Sequence, residues 1–248
     1  MLSKSHTKYI QSLQHKKFRD ESGLFIAEGP KLVADFLQDA NFRCREILAL
    51  PQWIDENTRL IALQAGMEVT EVKDHELEKL SALAHAHQVI AVLEQAKQEE
   101  LTDPSGRITL VLDAIQDPGN MGTIIRTADW FGISHIICSP GCADCYNPKV
   151  VQGTMGSLGR VAVIYNDLVS FLSRHDSIPA YAAAMDGEDI SGLEKIKEGF
   201  IIIGNEGRGI SEEVLSLARK KISIPRVGKA ESLNAAIAAA IVMSNLKI

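Results

Sequence analysis

Long apolar runs are scarce in this chain. The longest, Ala235 to Met243, has nine residues, half of the roughly 18 that a membrane-spanning helix needs. No apolar stretch follows Lys4, His6 and Lys8, so the N-terminus lacks the layout of a secretory signal. Cysteine is sparse: four in 248 residues, in no regular framework, which points to a reducing compartment. The phosphate-loop pattern G-x-x-x-x-G-K-[ST] is absent, which argues against a nucleotide triphosphatase. The glycines of Gly204-Asn-Glu-Gly-Arg-Gly209 are spaced G-x-x-G-x-G, not the G-x-G-x-x-G of a dinucleotide site. No internal repeat or low-complexity segment is present. The expectation is a soluble cytoplasmic protein with no membrane partner.

What is present is ordinary in bulk. Apolar residues make up 46% and charged residues 23%, enough for a real core in one large domain or two smaller ones. A net charge of −6 argues weakly against non-specific nucleic-acid binding. Yet Lys4, Lys8, Lys16, Lys17 and Arg19 give residues 1–19 a local +5 with no acid among them. That fits equally a solvated helix face or an RNA-contacting arm.

Strand and helix patterns alternate. Lys8 to Phe18 predicts an amphipathic helix, Leu24 to Ala27 a strand, and Lys31 to Ala40 a helix opened by Pro30. Strands at Arg45–Leu50, Met67–Val72 and Val89–Leu93, with helices at Asp55–Ala65 and Asp74–Ala84, complete a compact α/β unit; Asp74 is a plausible N-cap. Gln95 to Arg107 is polar and holds Pro-Ser-Gly, the best linker in the sequence. The division expected is a domain at 1–98, a linker at 99–107 and a second domain at 108–248. In the second, Ile108–Leu112 and Ile133–Ser139 read as doubly buried strands. A loop from Asp113 feeds a helix at Thr123–Phe131, Ala143–Gly159 is loop plus a short helix, and further strands follow at Arg160–Tyr165 and Ala180–Ala184. A five- or six-stranded, mostly parallel sheet is expected, with ligands outside the carboxyl ends of its strands.

Three loops combine glycine with hydrogen-bonding side chains. They are Asn120-Met-Gly-Thr-Ile-Ile-Arg126, Gly204-Asn-Glu-Gly-Arg-Gly209 and Pro225 to Asn234. Each alone is a weak signal: Asn120 and Asn234 could be cap or turn residues, and Arg126 could pair with Asp129 or Glu206. Together and in this order they closely resemble the motifs of the SpoU (TrmH) branch of the SPOUT RNA methyltransferases. Asn120, Gly122 and Arg126 match motif one; Gly204, Asn205, Glu206 and Gly209 match motif two; Ile224, Pro225, Gly228, Ser232, Leu233 and Asn234 match motif three. The segment KKFRDESGLFIAEGPKLV looks like the start of the RNA substrate-binding domain often fused to these enzymes.

The resemblance implies methyl transfer from S-adenosylmethionine to a ribose 2′-hydroxyl of RNA, ribosomal RNA before transfer RNA. It implies a trefoil-knotted C-terminal domain, which general folding rules would not suggest, and a homodimer through that domain. Arg126 would clamp a phosphate and stabilise the emerging alkoxide. Asn120 and Glu206 would orient that arginine or the ribose, and Ser232 and Asn234 would position substrate. Gly204, Asn205, Gly209, Ile224, Pro225, Gly228 and Leu233 match the cofactor-holding positions. Arg226, Ala235 and Ala236 depart from the family pattern, and the role of a second serine cannot be carried over. The rivals are a binding protein of the same fold and an NAD-dependent oxidoreductase.

His135, Cys138, Cys142 and Cys145 are spaced H-x2-C-x3-C-x2-C, a pattern worth weighing as zinc ligands. The expectation is no metal, because His135 and Cys138 lie on a buried strand and point apart. His85 and His87 read as loop histidines.

Overall fold

The computed structural model describes residues 2–83, 87–97 and 100–247, and the chain divides into two compact units. The helices are α1 (Lys4–Ser12), α2 (Lys16–Ser22), α3 (Pro30–Gln38), α4 (Pro51–Glu56), α5 (Thr58–Ile61), α6 (Asp74–Leu80), α7 (Pro118–Trp130), α8 (Pro148–Thr154), α9 (Leu168–Arg174), α10 (Glu212–Ser216) and α11 (Ala235–Lys247). The strands are β1 (Leu24–Glu28), β2 (Cys44–Ala49), β3 (Glu68–Glu71), β4 (Val89–Glu94), β5 (Ile108–Leu112), β6 (His135–Cys138), β7 (Ala162–Tyr165), β8 (Ala180–Asp189), β9 (Gly199–Ile203) and β10 (Lys220–Ser223).

The first unit runs to Lys97 and also takes in Asp144–Gly159. Its four-stranded mixed sheet has the order β1-β4-β2-β3, with only β2 and β3 parallel. Ile10, Leu13, Ile26, Leu48, Leu77 and Ile90 fill one cluster of its core. Phe25, Phe36 and Phe42 meet edge to face, with centroids 4.9–5.6 Å apart, a favoured aromatic geometry.

The single helix expected over Lys8–Phe18 is two helices. Arg19 supplies the reason: its buried guanidinium donates to the carbonyls of Leu13 and Gln14 at 2.9 and 2.8 Å, holding the break open. The same group pairs with Asp144 at 2.5 Å. Lys16 and Lys17 pair with Asp20 and Glu21, so much of the basic N-terminal cluster is neutralised locally. Asp74 is the first residue of α6 rather than its cap; Glu76 reaches back to the Lys73 amide at 3.1 Å. The predicted Asp55–Ala65 helix is replaced by α4 and α5, the former starting on Pro51. His85 lies outside the described residues, while His87 sits in the loop before β4.

The second unit holds a six-stranded sheet of order β10-β8-β9-β5-β6-β7, parallel at every pairing. β5 and β9 lie at its centre and are buried throughout, as their unbroken apolar runs require. The chain builds outward from β5 through β6 and β7, then crosses to β8, β9 and finally β10. The direction of build-up reverses between β5 and β9, which is where an open parallel sheet forms a ligand crevice.

Two local features shape that crevice. α7 starts at Pro118, five residues before the expected Thr123, because the Asp117 carboxylate caps it by accepting the Asn120 amide at 2.8 Å. Asn120 and Gly122 therefore stand in its first turns. β10 pairs first with Tyr181 and Ala182, then jumps to Glu188 and Asp189. At that jump a side chain on Gly187 would run into the backbone of Ile222. α11 then doubles back to pack on α7 and β9.

Candidate active site

The loops after β5 and β9 are fastened to each other by groups that tolerate few substitutes. The nearly buried Asp113 carboxylate accepts the amide and hydroxyl of Ser211 at 2.8 and 2.7 Å. Asn205 donates its side-chain amide to the carbonyl of Ala114 at 2.9 Å and accepts from the amides of Gly207 and Arg208. Asn205 and Gly209 exchange backbone hydrogen bonds at 2.9 and 2.8 Å. Any side chain on Gly204 would collide with the Gly209 carbonyl. Ala114 itself is held at φ 54°, a left-handed conformation that costs a non-glycine residue on the order of 1–3 kcal/mol.

On this frame Glu206 joins two distant segments. Its Oε1 accepts from Asn120 Nδ2 at 2.6 Å, Asn234 Nδ2 at 2.9 Å and the Ala235 amide at 3.0 Å. Asn234 Nδ2 also donates to Asn120 Oδ1 at 2.7 Å, while Asn234 Oδ1 caps α11 by accepting the amides of Ala236 and Ile237. One residue from each sequence motif thus closes a three-membered polar ring. Beside it lies a cavity of about 220 Å³ lined by Ile115, Gln116, Asp117, Asn120, Glu206 and Ala235, among others.

Arg126 is exposed on α7 and makes no ion pair or hydrogen bond among the described residues. Both carboxylates that could have claimed it are engaged elsewhere. Asp129 is held by Arg160 at 2.8–2.9 Å, and Glu206 by the two asparagines. Glu206 and Arg126 make no hydrogen bond or ion pair with each other among the described residues, which leaves the ribose as the group for Asn120 and Glu206 to orient. What the fold offers is a solvent-facing guanidinium, permanently charged.

The third loop is open. Pro225 and Gly228 are exposed, Ile224 is half-buried, and Ser232 makes no hydrogen bond among the described residues. Val227 is fully exposed and Leu233 is 45% exposed. A side chain at Gly228 would meet only open space. Solvent-facing aliphatic side chains beside a backbone that a flat ring can approach suit the adenine of a nucleoside cofactor, so these residues fit S-adenosylmethionine.

Among the described residues no three His, Cys, Asp or Glu side chains converge as metal ligands. His135 Nδ1 lies 2.8 Å from the Ser134 hydroxyl. All four cysteines are buried free thiols. Cys142 sits under the β5 loop, its sulfur accepting the Ile115 amide at 3.3 Å. A hydrogen bond from Cys138, assisted by Ser139, draws the Cys142 thiol down to about 7 against the opposing effect of burial.

Reading the sequence missed Asp113, Asp117 and Ala114. The two aspartates were visible as acids bounding the loop between β5 and α7, but nothing local marks Asp113 as the partner of Ser211, 98 positions away.

Fold and site together define an α/β enzyme whose polar residues come from the ends of two central strands and a returning C-terminal helix. Residues 107–244 match the SpoU rRNA methylase family, and residues 4–91 match the MRM3-like substrate binding domain. The chain belongs to the SpoU rRNA methylase family. It is 30% identical over 241 residues to the 23S rRNA (guanosine(2553)-2′-O)-methyltransferase RlmP of Bacillus subtilis, covering 96% of this chain and 94% of that one. The AdoMet-bound rRNA methyltransferase of Sinorhizobium meliloti superimposes with a TM-score of 0.88 at 30% identity, covering 99% and 96% of the two chains. A putative TrmH-family RNA methyltransferase from Porphyromonas gingivalis gives 0.87 at 36% identity, covering 100% and 98%.

Proposed function

We propose that this protein transfers a methyl group from S-adenosylmethionine to a ribose 2′-hydroxyl of RNA, with ribosomal RNA as the substrate rather than transfer RNA. The observation that carries the reading is the Asn120–Glu206–Asn234 ring with the uncommitted Arg126 on the same helix as Asn120. The relatives named above, one of them a ribosomal RNA 2′-O-methyltransferase by name, support the ribosomal assignment.

Bound S-adenosylmethionine supplies a methyl group already activated on a sulfonium. The protein's remaining task is to position a poor nucleophile and stabilise the charge it develops. Arg126 holds a substrate phosphate and offsets the negative charge that grows on the ribose oxygen as its proton passes to that phosphate or to water. Asn120 and Asn234, locked by Glu206, orient the ribose, and Ser232 adds a substrate contact. Gly204, Asn205 and Gly209 set the loop that, with Ile224, Pro225, Gly228 and Leu233, forms the cofactor side.

Residues 1–98 select the RNA, 99–107 link, and 108–248 carry the transfer. The enzyme works as a homodimer in the cytoplasm. Leu233 just before α11 and Ile237 in its first turn are 45% and 51% exposed, and small residues along that helix permit close contact with a second copy. No helix among the described residues is long and apolar enough to cross a membrane. The test is incubation with labelled cofactor and total RNA, with the label mapped by nuclease digestion and mass spectrometry. Ribose methylation of one ribosomal nucleotide is expected; methyl on a base, or on no RNA, overturns the proposal.

A further inference from the structure

The turn that follows β6 grips the loop that follows β5. Ser139 accepts the Ala114 amide on its hydroxyl at 2.8 Å, and Ala143 donates its own amide to the Ile115 carbonyl at 2.8 Å. Between them the Cys142 sulfur accepts the Ile115 amide and donates to the Leu112 carbonyl, each at 3.3 Å. These bonds hold the strained Ala114, whose carbonyl receives Asn205, and they set Ile115, which lines the cavity beside Asn120. A second thiol meets the same sulfur. The Cys142 amide closes the turn on the Ser139 carbonyl at 3.0 Å, folding residue 142 back over the end of β6, where Cys138 hydrogen-bonds to its sulfur. Two thiols, four residues apart in sequence, therefore touch beneath the loop that frames the site.

We propose that Cys138 and Cys142 form a redox-modification site, a dithiol that a hydroperoxide closes into a disulfide, releasing the sulfur's hold on the β5 loop. The Cys142 thiolate attacks one peroxide oxygen: a sulfur–oxygen bond forms, the O–O bond breaks, and the departing oxygen takes up a proton and leaves as water. The Cys138 sulfur then displaces the sulfenic oxygen, which leaves as a second water with the Cys138 proton. In all, the two thiols lose two electrons and two protons, and the peroxide is reduced to water. Exposure sets the order: Cys142 keeps 9% and Cys138 none, so Cys142 is the sulfur that meets the oxidant. The donors around it draw its thiol down to about 7, which supplies thiolate near neutral pH. Cys44, pushed up to about 12 by burial, has no such activation. Once bonded to Cys138, the Cys142 sulfur has no proton for Leu112 and is turned from the Ile115 amide. Ser139 and Ala143 keep their bonds to the loop, so the site is displaced and not dismantled. In a reducing compartment such a bond is transient, as a sensor requires.

The disulfide is independent of what the site catalyses; its effect on turnover rests on the methyl-transfer reading, and the experiment reads the two apart. Reduced full-length protein is treated with hydrogen peroxide, alkylated, and mapped by peptide mass without reductant. Methylation of unmodified ribosomal RNA is followed before and after dithiothreitol. A link between Cys138 and Cys142, with two hydrogens lost, is expected, while Cys44 stays a free thiol. kcat should fall at least about tenfold, within the roughly 100-fold that a misplaced site can cost. KM for RNA should change little, and dithiothreitol should restore the rate. Cys138→Ser should form no disulfide and hold a sulfenic acid at Cys142 that dimedone traps. The wild-type map decides the matter even if Cys138→Ser unsettles β6. No link, a link through Cys145, or a link that leaves kcat unchanged overturns the proposal. A Cys138–Cys142 link in a protein that methylates no RNA even when reduced would leave the redox site standing and remove the enzymatic reading instead.

Discussion

Glu206 Oε1 accepts a hydrogen bond from Asn120 Nδ2 at 2.6 Å across 86 residues of chain. Through it the loop after β9 fixes the first turn of α7, and the same oxygen fixes the first turn of α11. Glu206→Ala leaves Asn120, Asn234 and the Ala235 amide without that acceptor. Because the site is exposed, water replaces much of the loss. The stability cost expected is only about 1 kcal/mol, a fall in Tm of roughly 2–4 °C. Turnover should fall far more, at least about 100-fold, as expected of groups that fix geometry. Calorimetry beside methylation kinetics checks the pair of effects.

The glycines of the second and third loops serve different ends. A Cβ on Gly204 collides with backbone, whereas one on Gly228 meets open space. Gly204→Ala should cost about 1–3 kcal/mol or more and lower Tm. Gly228→Ala should keep Tm and weaken only S-adenosylhomocysteine binding, read by isothermal titration. Equal Tm losses would contradict the assignment.

Arg19 is 1% exposed and bonds to Asp144, Leu13 and Gln14. Arg19→Met strands the Asp144 carboxylate and two carbonyls, with an expected loss of about 3–5 kcal/mol. Urea unfolding of the full-length protein measures it, and a change below 1 kcal/mol would contradict a structural role for the pair.

Cys142 gives a pH signature. Its folded value of about 7 lies below that of an unfolded thiol, near 8.5, so its contribution to stability is full above the unfolded value and is lost as pH falls through about 7. Cys44 is pushed up to about 12 by burial and stays protonated throughout. Thiolate absorbance should therefore show one early titration near pH 7 that Cys142→Ser removes. Stability of the wild type should rise between pH 7 and 9 relative to that variant.

Much of this was legible in the residues. The unbroken apolar runs of β5 and β9 announced a doubly covered parallel sheet, and the glycine–asparagine loops beyond them marked the crevice. Proline placement located α3, but Pro118 was passed over, and with it the early start of α7 that puts Asn120 in a helix. Arg19 read as one more surface cation. Its burial depends on Asp144, 125 residues on, and no local pattern reports a partner that far away. Asp113 with Ser211 is the same case. Arg126 shows the converse: Asp129, three residues on, suggested an ion pair, and only the fold shows that carboxylate held by Arg160 and Glu206 held by the asparagines.

That uncommitted cation is where the mechanism is most exposed to test. Single-turnover methylation of unmodified ribosomal RNA by Arg126→Ala, at saturating cofactor, measures its role directly. The expected result is loss of transfer by at least about 1,000-fold, in the upper range seen when a charge-stabilising donor is removed, with Tm and S-adenosylhomocysteine affinity unchanged. Transfer at the wild-type rate would contradict the role given to Arg126 and the chemistry built on it.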